Sequence, residues 1–391
     1  MIAALACLAA PTTAQAAGTA QTKKALAREM AKAGPFSGAY VVDLDTGQAL
    51  YGKRADIARI PASVEKLYTS SSALVRYGAD GTLTTAVSAD VAPDELGLVD
   101  GDLYLRGGGD PTFNAAAASR LADTLIAQTG LTEVTGRVIG DESAFDRLRG
   151  PYSPRPDYWV GPLSALTFNR NLTGRRFQAN PALAAAKSFT AALRKLGIPV
   201  RRGARVGVAP VTAPQLAISG SPTIARMIAS MNVPSDNFIA ETLIKSLGAT
   251  FGGAGTTSVG AQVVRSTAAQ LGVRTKAVDG SGLSRSNRTS PRAVVSLLAG
   301  MYEGEDFDPF YFSLPIAGRT GTLSGRMRRS AARDNCHAKT GTLHDVSALA
   351  GYCRTRDGGQ LAFAFLMNGV YPSSAKVLQD RMAGALARYS G

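Results

Sequence analysis

The sequence is poor in the residues that bind metals. Its 391 residues include two histidines, His337 and His344, and three cysteines, Cys7, Cys336 and Cys353. No C-x-x-C pair and no zinc-finger spacing occurs, which excludes a histidine-rich metal site and disfavours any zinc site. The sequence also lacks the G-x-S-x-G turn, so the histidine-based Ser-His-Asp hydrolases are disfavoured as well.

Acidic residues are scarce relative to basic ones. There are 29 Asp and Glu against 43 Lys and Arg, which gives a formal net charge of +14. Such a surplus favours anionic surroundings. The basic residues are scattered, no nucleic-acid-binding motif is present, and an apolar leader argues for export, so we expect no nucleic acid partner. Peripheral association with a membrane or an anionic wall polymer is compatible with this charge.

The only long apolar run lies at the start of the chain. Met1–Ala10 is almost wholly apolar, and Ala14-Gln15-Ala16 matches the A-x-A pattern of a signal-peptidase site. The run is too short to span a bilayer. Residues 1–17 are therefore predicted to be a signal peptide, although no Lys or Arg precedes the apolar stretch, and Cys7 has only a weak lipobox-like context. We expect the mature protein on the periplasmic or cell-wall side.

Patterning along the chain predicts one domain interrupted by another. Two strand-like runs lie near the start, at residues 39–45 and 48–51, and three near the end, at 336–339, 346–353 and 360–368. Helical patterns precede and follow them. This arrangement predicts an α+β catalytic domain with a five-stranded antiparallel sheet flanked by helices, formed by residues 22–81 and 220–391. Residues 82–219, rich in Gly, Pro and Ala, are predicted to be an inserted α+β domain.

Ser63-Val64-Glu65-Lys66 forms an S-x-x-K motif at the start of a predicted helix, Ser63–Tyr77. Positions i and i+3 share a helix face, so Ser63 and Lys66 can meet. A serine hydroxyl needs a base to attack a carbonyl, and a lysine whose pKa is lowered can serve. Alone, the motif also fits a surface helix with a solvated lysine.

Two further motifs follow. Ser235-Asp236-Asn237 precedes a helical run and is also a good helix N-cap. Lys339-Thr340-Gly341, followed by Thr342, falls at the end of a predicted strand, where a glycine permits close approach to the backbone. The order S-x-x-K, S-D-N, K-T-G is the set found in penicillin-binding proteins and class A β-lactamases. Together these motifs predict one acyl-transfer site.

Further segments extend the resemblance. They are LYLRGGGDPTF (residues 103–113), GPLSALTFN (161–169), DGSGLSR (279–285) and LPIAGRTGTLSGR (314–326). With the three motifs, the chain from about residue 36 onward resembles the class C low-molecular-mass penicillin-binding proteins, the DacB-type D-alanyl-D-alanine carboxypeptidases and endopeptidases. The interval between the first two motifs is shorter than expected for members with two nested extra domains, so one inserted domain is expected.

The resemblance implies a role for each motif residue. Ser63 is the nucleophile and Lys66 its base. Ser235 and Asn237 complete the proton network and hold the substrate amide, next to Asp236 of the same motif. The resemblance also implies that Lys339 supplies positive charge for the terminal carboxylate of the substrate. Thr340, Gly341 and Thr342, on the same strand, are the further substrate-binding residues that it implies. The backbone N–H groups of Ser63 and Thr342 form the oxyanion hole.

The implied activity is a serine-type D-Ala-D-Ala carboxypeptidase that acts on peptidoglycan stem peptides without a cofactor and is acylated by β-lactams. A cross-linking peptide as leaving group, which would make the protein an endopeptidase, stays open. A β-lactamase is one alternative, but no E-x-x-L-N-like segment follows S-D-N. Glu241 lies one helical turn after Asn237 on the same face, where a structural role is the simpler reading. A catalytically weak peptidoglycan-binding scaffold is the other alternative.

Cys336 and Cys353 are the two cysteines left after removal of the leader. An even pair in an exported protein indicates a disulfide. They flank a predicted turn at Gly341–Asp345, and a two-stranded hairpin would place them nearly opposite each other. We therefore predict a Cys336–Cys353 disulfide that braces the strand carrying Lys339.

Overall fold

The computed structural model describes residues 13–391, with side chains from Gly18 onward. The apolar run Met1–Ala10 and Cys7 of the predicted leader lie outside the described residues. The described α-helices are α1 (Thr13–Lys32), α2 (Lys66–Tyr77), α3 (Ala115–Thr129), α4 (Pro181–Lys195), α5 (Ile224–Asn232), α6 (Asn237–Phe251), α7 (Thr257–Gln270), α8 (Pro291–Glu303), α9 (Phe307–Phe312) and α10 (Pro372–Leu386).

The strands of the same part of the chain are mostly short and fall into a few sheets. They are β1 (Ser37–Asp43), β2 (Ala49–Lys53), β3 (Thr84–Ala89), β4 (Leu98–Val99), β5 (Leu103–Gly107), β6 (Glu133–Val134), β7 (Val138–Asp141), β8 (Leu172–Thr173), β9 (Arg176–Phe177), β10 (Arg205–Val206), β11 (Gln215–Gly220), β12 (Cys336–Leu343), β13 (Val346–Arg354) and β14 (Gln360–Asn368). Three 3₁₀ turns complete the elements, at Ala62–Glu65, Asn169–Asn171 and Gly321–Leu323.

The chain divides into two compact units. The first comprises the residues up to Val64 together with Arg288–Tyr302 and Leu314–Gly391. The second comprises Glu65–Asn287 and Glu303–Ser313. Each unit therefore collects segments that are distant in sequence.

The first unit contains a five-stranded antiparallel sheet in the order β12-β13-β14-β1-β2. Strands β13 and β14 are almost wholly buried, because both faces of the sheet are covered. On one face lie α1 and α10, which share an apolar core with the sheet. A hydrogen bond from the Tyr352 hydroxyl to the Leu298 carbonyl, 2.7 Å long, ties the sheet to α8. The predicted five-stranded antiparallel sheet with terminal helices is confirmed.

The second unit contains a mixed five-stranded sheet in the order β10-β7-β5-β3-β11. Helices α3 and α4 pack on it through an apolar core that includes Leu121, Leu125, Phe189 and Leu193. Helices α2, α5, α6, α7 and α9 form the rest of this unit. The mixed sheet lies between residues 84 and 220, the region predicted to be inserted; the predicted domain boundaries themselves stay a prediction.

Two local features differ from the sequence-based expectations. The helix predicted to begin at Ser63 opens with a 3₁₀ turn, Ala62–Glu65, and becomes an α-helix only at Lys66. The strand that carries the K-T-G motif continues to Leu343, so Gly341 lies inside the strand and not in a turn at its end. The reason is the tightness of the hairpin: Leu343 pairs with Val346, which leaves only His344 and Asp345 for the connection.

Candidate active site

The turn that carries Ser63 has an unusual backbone. Ala62, just before the serine, is fully buried and has a φ of 49°, in the left-handed region that residues with a Cβ seldom adopt. Such a residue costs of order 1–3 kcal/mol and persists only where its surroundings hold it. Ser63 lies inside this 3₁₀ turn, and Lys66, which ends the S-x-x-K motif, is the first residue of the α-helix that follows it.

The K-T-G strand lies directly against this turn within the first unit. A Cβ added to Gly341 would come within 2.6 Å of the Pro61 carbonyl oxygen and 3.1 Å of both the Ala62 Cβ and the Ser63 nitrogen. Only a residue without a side chain allows β12 to approach so closely. Gly341 is thus the position that sets the distance between the strand and the backbone of Ser63.

The other residues of that motif differ in exposure. Lys339 is fully buried, and its ammonium donates a 2.9 Å hydrogen bond to the Thr340 carbonyl. The Thr340 hydroxyl donates to the hydroxyl of Thr322 at 2.8 Å. Thr342 is exposed on the same strand. The strand therefore carries an exposed threonine at position 342 and a buried cation at position 339.

A disulfide joins the base of this strand to its neighbour. Cys336 pairs with Cys353 in the β12–β13 register, and their sulfur atoms are bonded. The predicted disulfide is present in the structure. His337 lies within β12 and His344 in the exposed hairpin turn.

Lys66 is one of the fully buried cations of the second unit. Its side chain is fully buried, and Nζ donates 2.7 Å hydrogen bonds to the Asn237 Oδ1 and to the Ser281 carbonyl. Burial lowers the pKa of Lys66 to about 8, against the opposing influence of nearby carboxylates, chiefly those of Asp279 and Glu241. A substantial fraction of the amine is thus neutral in mildly alkaline solution, as a base requires.

The S-D-N motif is divided between a strained turn and the start of α6. Ser235 has a φ of 66°, again in the left-handed region. Asp236 caps α6 by accepting a hydrogen bond from the Ile239 N–H, and it forms a 2.6 Å ion pair with Arg170. Asn237, the first helical residue, accepts from Lys66 and donates to the Trp159 carbonyl at 3.2 Å. The structure thus brings Asn237 to Lys66, whereas the Asp236 carboxylate is engaged in capping and in the ion pair.

A loop outside the three motifs completes the surroundings of Lys66. Ser281 lies in the DGSGLSR segment, and its carbonyl is the second acceptor of the lysine. The glycine before it, Gly280, accepts a 2.8 Å hydrogen bond from the Thr69 hydroxyl through its carbonyl. The DGSGLSR segment contributed to the family resemblance. The sequence could not indicate this role, because every residue has a backbone carbonyl.

Three buried acids surround this lysine, and they differ in how they are satisfied. Asp279 accepts hydrogen bonds from Gly282, Ser284 and Asn287. The Glu241 Oε1 accepts from two backbone N–H groups, while its Oε2 has no hydrogen-bond partner. Neither carboxyl oxygen of Glu65 has one.

The pKa values of two of these acids are raised. Burial raises the pKa of Glu241 to about 8, with Asp279 adding to the effect. Burial, Asp279 and Glu241 hold the pKa of Glu65 well above its usual range. Burial thus disfavours the charged form of both carboxyls.

No helix within residues 13–391 combines the length and the apolar character needed to cross a bilayer. In the same part of the chain, no group of three or more His, Cys, Asp and Glu side chains is arranged to hold a metal ion. The chemistry available to the motif residues is that of a serine hydroxyl, two buried amines, an amide and backbone N–H groups. Such a set suits acyl transfer.

These features define a class of protein. The sequence profile described as the D-Ala-D-Ala carboxypeptidase 3 (S13) family matches residues 19–179 and 169–389. The chain belongs to this family of serine peptidases, and the prediction of a DacB-type penicillin-binding protein with carboxypeptidase function is confirmed.

Individual relatives agree. A D-alanyl-D-alanine carboxypeptidase from an Actinomadura species is 31% identical over 475 aligned positions, which cover 98% of this chain and 88% of the relative. The alignment is longer than this chain, so that relative carries segments that are lacking here. Carboxypeptidase DacB of Mycolicibacterium smegmatis is 31% identical over 380 positions, covering 88% of this chain and 79% of the relative.

A solved structure shares the fold. Penicillin-binding protein 4 (dacB) of Haemophilus influenzae superposes with a TM-score of 0.77 at 22% sequence identity, over 93% of this chain and 99% of that one. A second structure of the same protein, in complex with a β-lactam, gives a TM-score of 0.73 at 22% identity, over 91% and 97% of the two chains. The likeness shows the α+β fold of the penicillin-binding class.

Proposed function

We propose that Ser63 is the nucleophile and Lys66 the base of a D-Ala-D-Ala carboxypeptidase reaction on peptidoglycan stem peptides. The observation that carries this assignment is Lys66 itself: a fully buried lysine with a pKa lowered to about 8, three residues after a serine held by a strained turn. Family membership supplies the reaction class.

The proposed reaction has two steps. The Ser63 Oγ attacks the carbonyl carbon of the penultimate D-Ala while its proton passes to the Lys66 amine. Collapse of the tetrahedral intermediate breaks the peptide bond, and the proton goes to the nitrogen of the departing D-Ala. Water then attacks the acyl-enzyme ester and releases the shortened peptide, restoring the serine hydroxyl. A β-lactam would acylate Ser63 in the same way as the first step and would remain covalently attached to it.

Other motif residues have supporting roles in this proposal. Asn237 accepts a hydrogen bond from Lys66 through its Oδ1, and its side chain also binds the amide of the substrate. Lys339 provides positive charge for the terminal carboxylate, and Thr340 and Thr342 contribute hydroxyls to the same group. The backbone N–H groups of Ser63 and Thr342 stabilise the oxyanion, for which losing one donor elsewhere costs on the order of 10²–10³ in rate.

Intact-protein mass after incubation with benzylpenicillin tests the assignment. The expected result is one penicilloyl group on the wild type and on Ser374→Ala, a control at an exposed serine of α10, and none on Ser63→Ala. No adduct on the wild type with penicillin left intact would overturn the assignment in favour of a non-catalytic scaffold. No adduct with penicillin consumed would overturn it in favour of a β-lactamase.

A second assay identifies the leaving group. Release of free D-Ala from a monomeric stem peptide defines a carboxypeptidase, and cleavage of a cross-linked dimer defines an endopeptidase. We propose the first activity, because carboxypeptidase is the activity named for the family and for relatives that share most of this chain. A protein that cleaves only dimers would contradict the proposal.

We further propose that the protein is exported and associates with anionic wall polymer through its surplus of basic residues. The net charge of +14 and the apolar leader support this. Electrostatic association between exposed charges is screened by salt. Co-sedimentation with purified wall should therefore fall at moderate salt, and salt-insensitive sedimentation would contradict the proposal.

A further inference from the structure

Glu241 is a fully buried acid that the proposed reaction does not use directly. It lies on α6, one turn after Asn237 and therefore on the same face of the helix. Its Oε1 accepts hydrogen bonds from the backbone N–H groups of Gly280 at 3.1 Å and Ser281 at 2.8 Å. These hydrogen bonds connect Glu241 to the loop whose Ser281 carbonyl accepts from Lys66.

The Gly280–Ser281 peptide is held from two sides. Glu241 fixes its N–H groups, while the Thr69 hydroxyl and the Lys66 ammonium bind its two carbonyls at 2.8 and 2.7 Å. The loop also lies tightly on α6, since a Cβ on Gly280 would meet the Ala240 carbonyl oxygen at 2.4 Å. Without Glu241, the two N–H groups would be buried without an acceptor, which is unfavourable and favours movement of the loop.

We propose that Glu241 is a positioning residue for the base: by holding the Gly280–Ser281 peptide, it keeps the Ser281 carbonyl on the Lys66 amine and so fixes the direction of that amine. This inference rests on the proposed function of Lys66. One face of α6 then positions Lys66 in two ways. Asn237 binds it directly, and Glu241 acts through the loop whose carbonyl binds it. A base must be held in reach of the proton that it abstracts, so loss of either hold slows acylation.

Glu241 and Lys66 also interact through their charges. Burial raises the pKa of Glu241 and lowers that of Lys66, so the two values approach each other, and a negative Glu241 stabilises the charged lysine. A proton lost from the pair can leave either group, but only its loss from Lys66 makes a base. The ionisable groups around the pair are Glu65 on α2, Asp236 before α6, Lys245 on α6, Asp279 in the loop, Tyr152, whose hydroxyl donates to the Val278 carbonyl, and Arg265 on α7, which donates to the Ala277 carbonyl.

Two substitutions separate position from charge. Glu241→Gln keeps an oxygen acceptor for both N–H groups and cannot ionise, so it should retain acylation to within about threefold while the rising limb of its pH profile moves to lower pH. Glu241→Ala removes the acceptor and should lower the acylation rate at least about tenfold. Thr242→Val, at the next buried position of α6, removes a hydroxyl without a hydrogen-bond partner and serves as the control, with rate and pH profile unchanged.

The rates are measured as benzylpenicillin acylation from pH 5.5 to 10, and hydrogen exchange of residues 278–284 is followed by mass spectrometry. Exchange should accelerate in Glu241→Ala and stay slow in Glu241→Gln. Equal losses in both variants with an unshifted pH profile would show a merely structural role and overturn the inference, as would unchanged rates or slow exchange in Glu241→Ala. A wild type that is not acylated refutes the proposed function instead, and the exchange data still decide whether Glu241 holds the loop.

Discussion

Substitution of Gly341 by alanine tests the closest approach in the candidate site. The new Cβ would lie 2.6 Å from the Pro61 carbonyl oxygen, whereas ordinary contact begins at 3.4 Å, so the strand and the turn must separate by about 0.8 Å. Backbone lies on both sides of the contact, and no flexible side chain can move away to relieve it. The Ser63 N–H therefore shifts relative to β12, the strand that carries the other proposed oxyanion donor, Thr342.

The magnitude follows from this displacement. A misplacement of about 1 Å near a reacting centre costs roughly 10²-fold in rate, and overpacking costs about 1–3 kcal/mol in stability. We expect Gly341→Ala to be acylated by benzylpenicillin about 10²-fold more slowly than the wild type. Its unfolding free energy should fall by about 1–3 kcal/mol, a loss that leaves a folded protein.

The penicilloyl adduct is quantified by mass spectrometry after the reaction is quenched at successive times, and the stability of each variant is measured by urea denaturation. Gly325→Ala is the matched control, because nothing lies within 4 Å of a Cβ at that position in the same unit and its backbone does not demand glycine. It should behave as the wild type. Acylation of Gly341→Ala within threefold of the wild type, with normal stability, would refute the claim that this contact sets the geometry of the nucleophile.

Three further predictions concern charge and covalent bracing. The rate of benzylpenicillin acylation should rise with pH through about 8, because only the neutral Lys66 amine accepts the serine proton; a flat profile from pH 6 to 9 would contradict this role. Joint replacement of Cys336 and Cys353 by alanine opens a loop with a sequence separation of 17 and should cost about 3 kcal/mol in urea denaturation; two free thiols in the non-reduced wild type would show that no disulfide forms. Asp146→Ala removes the 2.6 Å partner of the fully buried Lys245, whose pKa burial lowers. The loss should be about 3–5 kcal/mol at pH 6 and smaller at pH 9, because burial favours the neutral form of a lysine without its partner; equal losses at both pH values would argue against a buried charge.

The sequence was sufficient for the elements that local patterning encodes. Alternation and turn residues predicted the strands of the first unit's sheet, and β14 was predicted with its observed limits, Gln360–Asn368. The spacing of Cys336 and Cys353 about a hairpin predicted their pairing, because antiparallel register follows from the position of the turn. The order of the three motifs predicted the family, because each motif carries side chains whose identity the chemistry requires.

The tertiary structure decided what depends on backbone conformation and on contacts between distant segments. The left-handed backbone of Ala62 and the continuation of β12 through Gly341 are not encoded by residue type alone. Ala62 lies against Gly341 of a distant strand, and β12 continues because its connection to β13 is only His344 and Asp345. The same holds for the proposed base. The sequence provided a lysine three residues after a serine, but its burial, its lowered pKa and its hydrogen bond to the Ser281 carbonyl, in a loop that Glu241 contacts, arise only when α2, α6 and the 279–282 loop pack together, because desolvation and hydrogen-bond geometry are properties of the folded chain.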